Sequence, residues 1–147
     1  KATDKGARAI IARFGIVLGH GGILEQMGKM FSSFVGSRLG SGQQSFSWIH
    51  IADLLRATLF CIQRCECQGV YNFCSPQSVS NEELVQAVAK KHNVITTIPI
   101  PAMVVRLALG EAADVLLLGN NVYPKKLLAQ GFTFGFPNLD KAVADLL

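Results

Sequence analysis

The stretch Arg8-Ala-Ile-Ile-Ala-Arg-Phe-Gly-Ile-Val-Leu18 constrains this chain more than any other. It is a short apolar run bounded by Gly6 and Gly19. Such a run reads as a strand covered on both faces, the kind found in parallel sheets. Gly69–Cys74 is a second run of the same type. Helical periodicity lies between and after them. Residues 23, 24, 27, 30, 31 and 34 are apolar, as are Leu54, Leu55, Leu59 and Ile62, which together with Thr58 make a stripe over Ala52–Gln63. Ser45–Ile51 alternates instead, which puts Phe46 and Trp48 on one face of a short strand and Ser47 and Ile49 on the other.

The second half carries clear punctuation. Ser80-Asn-Glu-Glu83 is a capping box opening a helix to about Asn93. Val94–Ile98 reads as a strand. Pro101 opens a helix to Leu109, and Glu111–Leu118 reads as helical. Pro124 opens a helix over Tyr123–Ala129, Phe132–Phe136 reads as a short strand or extended segment, and Asn138 caps a last helix, Leu139–Leu147. Gly36–Gly42 and Arg64–Gln68 read as loops. Strands alternating with helices specify an α/β fold. Two strands that expect neighbours on both sides cannot complete a sheet alone, so the reading is of part of a larger parallel sheet.

Composition agrees. Half of the 147 residues are hydrophobic, 16% are charged, and the mean hydropathy is +0.33. That excludes disorder. The longest apolar stretches, Val115–Leu118 and Ile98–Val105, fall short of the ~18 residues that span a bilayer. No signal-peptide pattern opens the chain, so a cytoplasmic setting is expected. The net charge is +4, but Lys90/Lys91 and Lys125/Lys126 lie far apart, and nucleic-acid binding, which needs a gathered basic face, is not expected. Mild basicity suits a small anionic ligand.

The motifs that carry chemistry are mostly missing. The cysteines, C-x3-C-x-C-x6-C from Cys61 through Cys65 and Cys67 to Cys74, do not match zinc knuckles and read as reduced thiols. Cys65 and Cys67, in the polar loop, are the candidates for exposed reactivity. Gly19-His-Gly-Gly22 lacks the third glycine of a dinucleotide loop. Neither Tyr71 nor Tyr123 has a lysine four residues on; Ser75 and Leu127 stand there. No G-x-S-x-G elbow is present. His50 and Asp53 could meet over one helical turn near Ser45 and Ser47, with local capping as the plainer role.

Three segments in order, Arg13-Phe-Gly-Ile-Val-Leu-Gly19, Ser47-Trp-Ile-His-Ile-Ala-Asp53 and Gly69-Val-Tyr-Asn-Phe-Cys-Ser-Pro76 with Ser80-Asn-Glu-Glu-Leu84, resemble the C-terminal half of extended short-chain dehydrogenases. These are the nucleoside-diphosphate-sugar epimerase-like proteins. Pro99-Ile-Pro101, Leu109-Gly-Glu111 and Tyr123–Phe134 resemble the closing region of the subfamily sometimes labelled cell-division inhibitor.

The resemblance implies a fold of late Rossmann-type strands plus a mostly helical substrate domain. Residues 1–20 would end the Rossmann-type core, 21–68 would belong to the substrate domain, 69–76 would return as a core strand, and 77–147 would form the C-terminal helical part. It implies NAD or NADP as cofactor of a longer protein whose N-terminal half carries the glycine fingerprint and the Tyr-x-x-x-Lys pair. The chain alone is then expected to be inactive, to hold no dinucleotide tightly and to self-associate. Phe14, Gly15, Ile16, Val17 and Leu18 would stand beside the nicotinamide. His20, Trp48 and His50 would face the substrate, with Trp48 as a stacking or lid surface or else packed against Leu54 and Leu55. The family often grips pyrophosphate with an arginine before its F-I-H motif. Here no cation stands between Arg38 and His50, which counts against a UDP-sugar. Two functions remain open: the substrate-binding half of an NAD(P)-dependent epimerase or oxidoreductase, and a non-catalytic dinucleotide-sensing or interaction protein on the same scaffold.

Overall fold

The computed structural model describes residues 6–32, 36–94, 97–109 and 117–147. The first long run is two strands, β1 (Ile10–Phe14) and β2 (Ile16–Leu18), followed by α1 (Gly22–Ser32) and β3 (Gly36–Leu39). Next come β4 (Ser45–Phe46), β5 (Trp48–His50), α2 (Ile51–Gln63), β6 (Gly69–Phe73) and β7 (Val79–Ser80). The rest is α3 (Asn81–Lys91), β8 (Thr97–Ile100), α4 (Ala102–Leu109), α5 (Lys125–Ala129) and α6 (Leu139–Leu146). The architecture is α/β.

The strands pair two by two. β1 runs parallel to β6, Ile10 opposite Gly69 through Phe14 opposite Phe73. β2 runs parallel to β5, and β3 to β8, while β4 and β7 are antiparallel. The single strand expected over Arg8–Leu18 is therefore broken at Gly15, where the backbone leaves one partner and takes another. Gly15 N donates to Phe73 O at 3.0 Å and Ile16 N to Ser47 O at 2.8 Å. A Cβ at Gly15 would lie 2.6 Å from Ser47 O, so only glycine lets β5 come this close.

Two apolar cores flank β5, as its alternation demands. Trp48 and Phe46 enter the first with Leu18, Leu24 and Val85, and α6 closes it with Val143. Ile49 enters the second with Ala57, Tyr71, Phe73 and Leu127.

Several expectations change. β1 is not covered on both faces: Ile11 is 58% and Phe14 60% exposed. The expected stripe of α2 is only partly inward: Leu54 packs against the second core and Thr58 is half-buried, but the rest face out. Asp53, Ala57 and Cys61 are buried, while Leu55, Leu59 and Ile62 are exposed. Small Ala57 and Cys61 let the helix lie close, and buried Asp53 is satisfied by two half-buried backbone N–H groups and Arg56, so the larger residues turn outward. Gly36–Leu39, expected as loop, is a strand because β8 supplies its ladder. β8 runs on to Ile100, past the expected end at Ile98, while residues 95–96 lie outside those described, and Phe132–Phe136 forms no regular element. Most of the expected helix Glu111–Leu118 lies outside the described residues.

The capping predictions hold. Ser80 Oγ accepts from Glu83 N at 3.1 Å, and Glu83 Oε2 accepts from Ser80 N at 2.6 Å. Donation from the Ser80 N–H, and then from the Ser80 hydroxyl, holds the Glu83 carboxyl below its ordinary value. Asn138 Oδ1 accepts from Lys141 N at 3.2 Å. The C-terminal end of α2 is closed by Arg8, whose guanidinium donates to the carbonyls of Cys61, Ile62, Arg64 and Cys67 at 2.7–3.0 Å. A cation is favoured there because the helix ends in unpaired carbonyls.

Candidate functional site

The break at Gly15 opens a cleft of about 600 Å³. Arg13, Phe14, Gly15 and Ile16 form one wall, with Asn72 at the adjoining end of β6. Phe46 and Ser47 form the floor, and Asn120–Tyr123 the opposite wall. In open parallel sheets ligands sit beyond the carboxyl ends of strands, where neighbouring strands part. The cleft is at that place for β1 and β6.

The far wall is a braced strap. Ser47 Oγ accepts from Val122 N at 2.6 Å and donates to Asn120 O at 2.9 Å. Asn120 N donates to Ser45 O at 2.7 Å, Asn72 Nδ2 to Tyr123 O at 3.3 Å, and Cys74 Sγ to Val122 O at 3.3 Å. A Cβ at Gly119 would lie 2.6 Å from Ser45 O, so the strap enters at a glycine with φ of +69°. These bonds commit the Ser47 hydroxyl to the backbone.

The eight residues singled out from the sequence divide into three groups. Phe14, Gly15 and Ile16 line the cleft. Val17 and His20 line a shallower depression with Gly19, Gly21, Gly22 and Ile51. Leu18, Trp48 and His50 are buried and line neither of these hollows. Trp48 does not pack as expected, since Leu55 is exposed and Leu54 belongs to the other core.

His50 caps α2: its Nδ1 accepts from Ala52 N at 3.1 Å, so the ring proton is assigned to Nε2. Nε2 lies 3.3 Å from Asp145 Oδ2 without a well-aligned hydrogen bond, and the ring stacks on Phe136 at 3.7 Å. Burial pulls the His50 pKa below its ordinary value, against the opposing pull of Asp145 and Asp53. Asp53, three residues on, accepts from Gly135 N and Phe136 N at 2.8 Å each and from Arg56 Nη1 at 2.9 Å. The I-H-x-x-D motif is thus a clasp that pins the segment before α6 onto α2.

The four thiols are free. Cys67 is buried, contrary to expectation, and its Sγ donates to Gln130 Oε1 at 3.0 Å. Burial pushes the Cys61 and Cys74 thiols up to about 11. Cys65 is exposed.

Sequence reasoning missed Arg13, Asn72, Phe46 and the strap as cleft residues. Arg13 and Asn72 stand in the sequence only as parts of the motifs quoted above.

Comparison with known proteins follows this geometry closely. An epimerase family protein of Staphylococcus aureus is 39% identical across 97% of this chain, and one of Staphylococcus haemolyticus is 40% identical across the same share. The solved structure of human epimerase family protein SDR39U1 (isoform 2) with NADPH matches 95% of the chain at TM-score 0.88 and 34% identity. The chain is similar to these epimerase family proteins. It spans 48% of the length of those relatives and of that human chain, and corresponds to their C-terminal half. A nucleoside-diphosphate sugar epimerase from Corynebacterium glutamicum matches at TM-score 0.77 and 26% identity, over 99% of this chain and 27% of that one. Residues 100–146 match a domain of unknown function, DUF1731. No helix among the described residues is long and apolar enough to cross a membrane.

Proposed function

We propose that this chain is the substrate-binding half of an NAD(P)-dependent epimerase or oxidoreductase, working with an N-terminal Rossmann half. One observation carries the reading: the cleft lies where β1 and β6 end and the backbone changes partner at Gly15. Support comes from the human relative, whose structure is described with NADPH.

The residues present fit one side of a dinucleotide site. Phe14, Gly15 and Ile16 offer a wall for a flat ring, and Val17 continues it toward His20. No glycine fingerprint for phosphates stands in the 147 residues. The cofactor would supply hydride transfer when bound. Leu18, Trp48 and His50 act behind the wall: Leu18 and Trp48 fix β2 against β5, and His50 fixes the start of α2. In this reading 1–20 and 69–76 belong to the cofactor-side core, and 21–68 and 77–147 to the substrate side. The cytoplasm suits its unpaired thiols.

Among the described residues the lining holds no carboxylate, histidine or lysine. Proton transfer then falls to groups of the N-terminal half, and the chain alone is inactive. The same lack favours a second reading, a binding-only protein on this scaffold. The deciding experiment joins the chain to its N-terminal half and follows NAD(P)H by fluorescence, then its oxidation with a panel of carbonyl compounds and sugar nucleotides. The joined protein should bind the cofactor and turn over one class, while the chain alone does neither. Binding without turnover selects the second reading. Micromolar NAD(P)H binding by the chain alone defeats the division of labour.

A further inference from the structure

The geometry points to Arg13 as the anchor for an organic oxyanion, a carboxylate or phosphate ester, bound in the cleft at Gly15 against the Asn120–Tyr123 strap. The inference rests on the proposed function and names the ligand class of that same cleft.

The arginines divide sharply by use. Arg8 closes α2 with four carbonyl contacts. Arg56 holds Asp53 and the Thr133 carbonyl. Arg64 pairs with Glu66 at 3.4 Å and covers the Phe60 ring. Arg13 is exposed and has no hydrogen-bond or ion-pair partner among the described residues, although it lines the largest cleft described. Among the described residues no carboxylate lines that cleft to neutralise it. A guanidinium with its fork of donors unspent matches the paired oxygens of a carboxylate or phosphate.

The surrounding groups suit the rest of such a ligand. Asn121 Oδ1 accepts from Ser78 Oγ at 2.9 Å, which leaves its Nδ2 donors uncommitted. Asn72 spends Nδ2 on the Tyr123 carbonyl, which leaves Oδ1 as an acceptor. Phe14, Ile16, Phe46 and Val122 supply apolar surface for the body of the molecule. A volume of about 600 Å³ lies within the ordinary range for small-molecule sites. The strap is already fixed by Ser45, Ser47, Asn72 and Cys74, so little ordering is needed when a ligand arrives.

The test uses the 147-residue chain, with phenyl phosphate and benzoate as anionic probes and benzyl alcohol as the neutral one, read by amide chemical shifts. At least one anion should give saturable shifts at Asn72 and Asn120–Tyr123, at least tenfold tighter than benzyl alcohol. Tighter phenyl phosphate identifies a phosphate ester, and tighter benzoate a carboxylate. Arg13→Gln should weaken the anion at least tenfold, and Arg13→Lys should keep part of the affinity. Both keep an exposed polar side chain, so the melting temperature should stay within a few degrees and certify the fold. Shifts elsewhere, equal binding of the alcohol, or unchanged affinity in Arg13→Gln would overturn the assignment. The proposed function fails separately. If the joined protein turns over while Arg13→Gln leaves KM unchanged, only the oxyanion assignment falls. If the anion needs Arg13 but no NAD(P)H binding or turnover appears, only the function falls.

Discussion

Asp53 grips Gly135 across 82 residues of sequence: its Oδ1 accepts the Gly135 N–H at 2.8 Å, and the carboxylate is 1% exposed. Its Oδ2 takes the Phe136 N–H, and Arg56 completes the site. A Cβ at Gly135 would lie 2.7 Å from Arg56 Nη1, the end of a flexible side chain that can give way, and 3.3 Å from Asp53 Oδ1. Asp53→Ala would leave two backbone donors without acceptors in a half-buried loop. The expected loss is about 3 kcal/mol in urea unfolding, since hydrogen bonds to a buried charge are among the costlier to remove. A loss under about 0.5 kcal/mol, the level of an ordinary surface change, would mean the clasp does not hold the loop.

His50, one turn earlier, should make stability fall with acid. Its folded pKa is depressed, chiefly by burial, so the unfolded chain binds the proton more readily. The stabilisation is fully present above the ordinary value of 6.5 and is lost as pH falls through the lower, folded pKa. Protonation also removes the lone pair that accepts from Ala52 N. The groups around the ring are Asp53, Asp145, His20 and Phe136. The melting temperature should therefore drop between pH 7 and 5. His50→Asn, which can still cap the helix, should flatten that drop. Identical pH profiles for the two proteins would remove His50 as the cause.

Gly15 makes a different prediction from the one its neighbourhood suggests at first. A glycine beside a ring site invites the view that Gly15→Val would weaken ligand binding and leave the fold intact. The Ser47 backbone, 2.6 Å from the added carbon, says otherwise. Gly15→Ala should cost about 1–3 kcal/mol, as overpacking usually does, and Gly15→Val more. Amide exchange should rise at Ile16–Leu18 and Trp48–His50. Native stability in Gly15→Val would show that β5 can move away freely.

What the sequence revealed was whatever the chain decides locally. The Ser80–Glu83 box and the Asn138 cap involve residues three apart, and the alternation of Phe46, Ser47, Trp48 and Ile49 is a property of one strand. What it hid depends on distant partners. β3 is glycine- and serine-bearing and becomes a strand only because β8 lies beside it. The partly outward stripe of α2 is indistinguishable in sequence from an inward one until Asp53 finds Gly135. Ser47 and the strap meet across about 75 residues, so nothing near either announces the cleft.

The thiols offer a chemical check on burial. Cys61, Cys67 and Cys74 are buried, and burial raises Cys61 and Cys74 to about 11, so few of those two are thiolates near neutral pH. Alkylation of the native chain followed by mass spectrometry should label Cys65 first and alone. Urea should then expose all four. Rapid labelling of Cys67 under native conditions would mean that its bond to Gln130 and the packing around it open readily.

The outward apolar surface makes the last prediction. Ile11 and Phe14 on β1, with Leu55, Leu59 and Ile62 on α2, are each 56–60% exposed. Burying a large apolar side chain is worth about 1.5–3 kcal/mol, so covering several of these together gives a strong drive. Large apolar patches seldom face water in a monomer, and an open strand edge adds to the risk. We expect the chain alone to associate, with light scattering giving a mass that grows with concentration. Leu55→Lys with Leu59→Lys should reduce association at little cost in stability, because both positions are already exposed. Joining the N-terminal half should suppress it further. A compact monomer at high concentration would show that these residues need no cover.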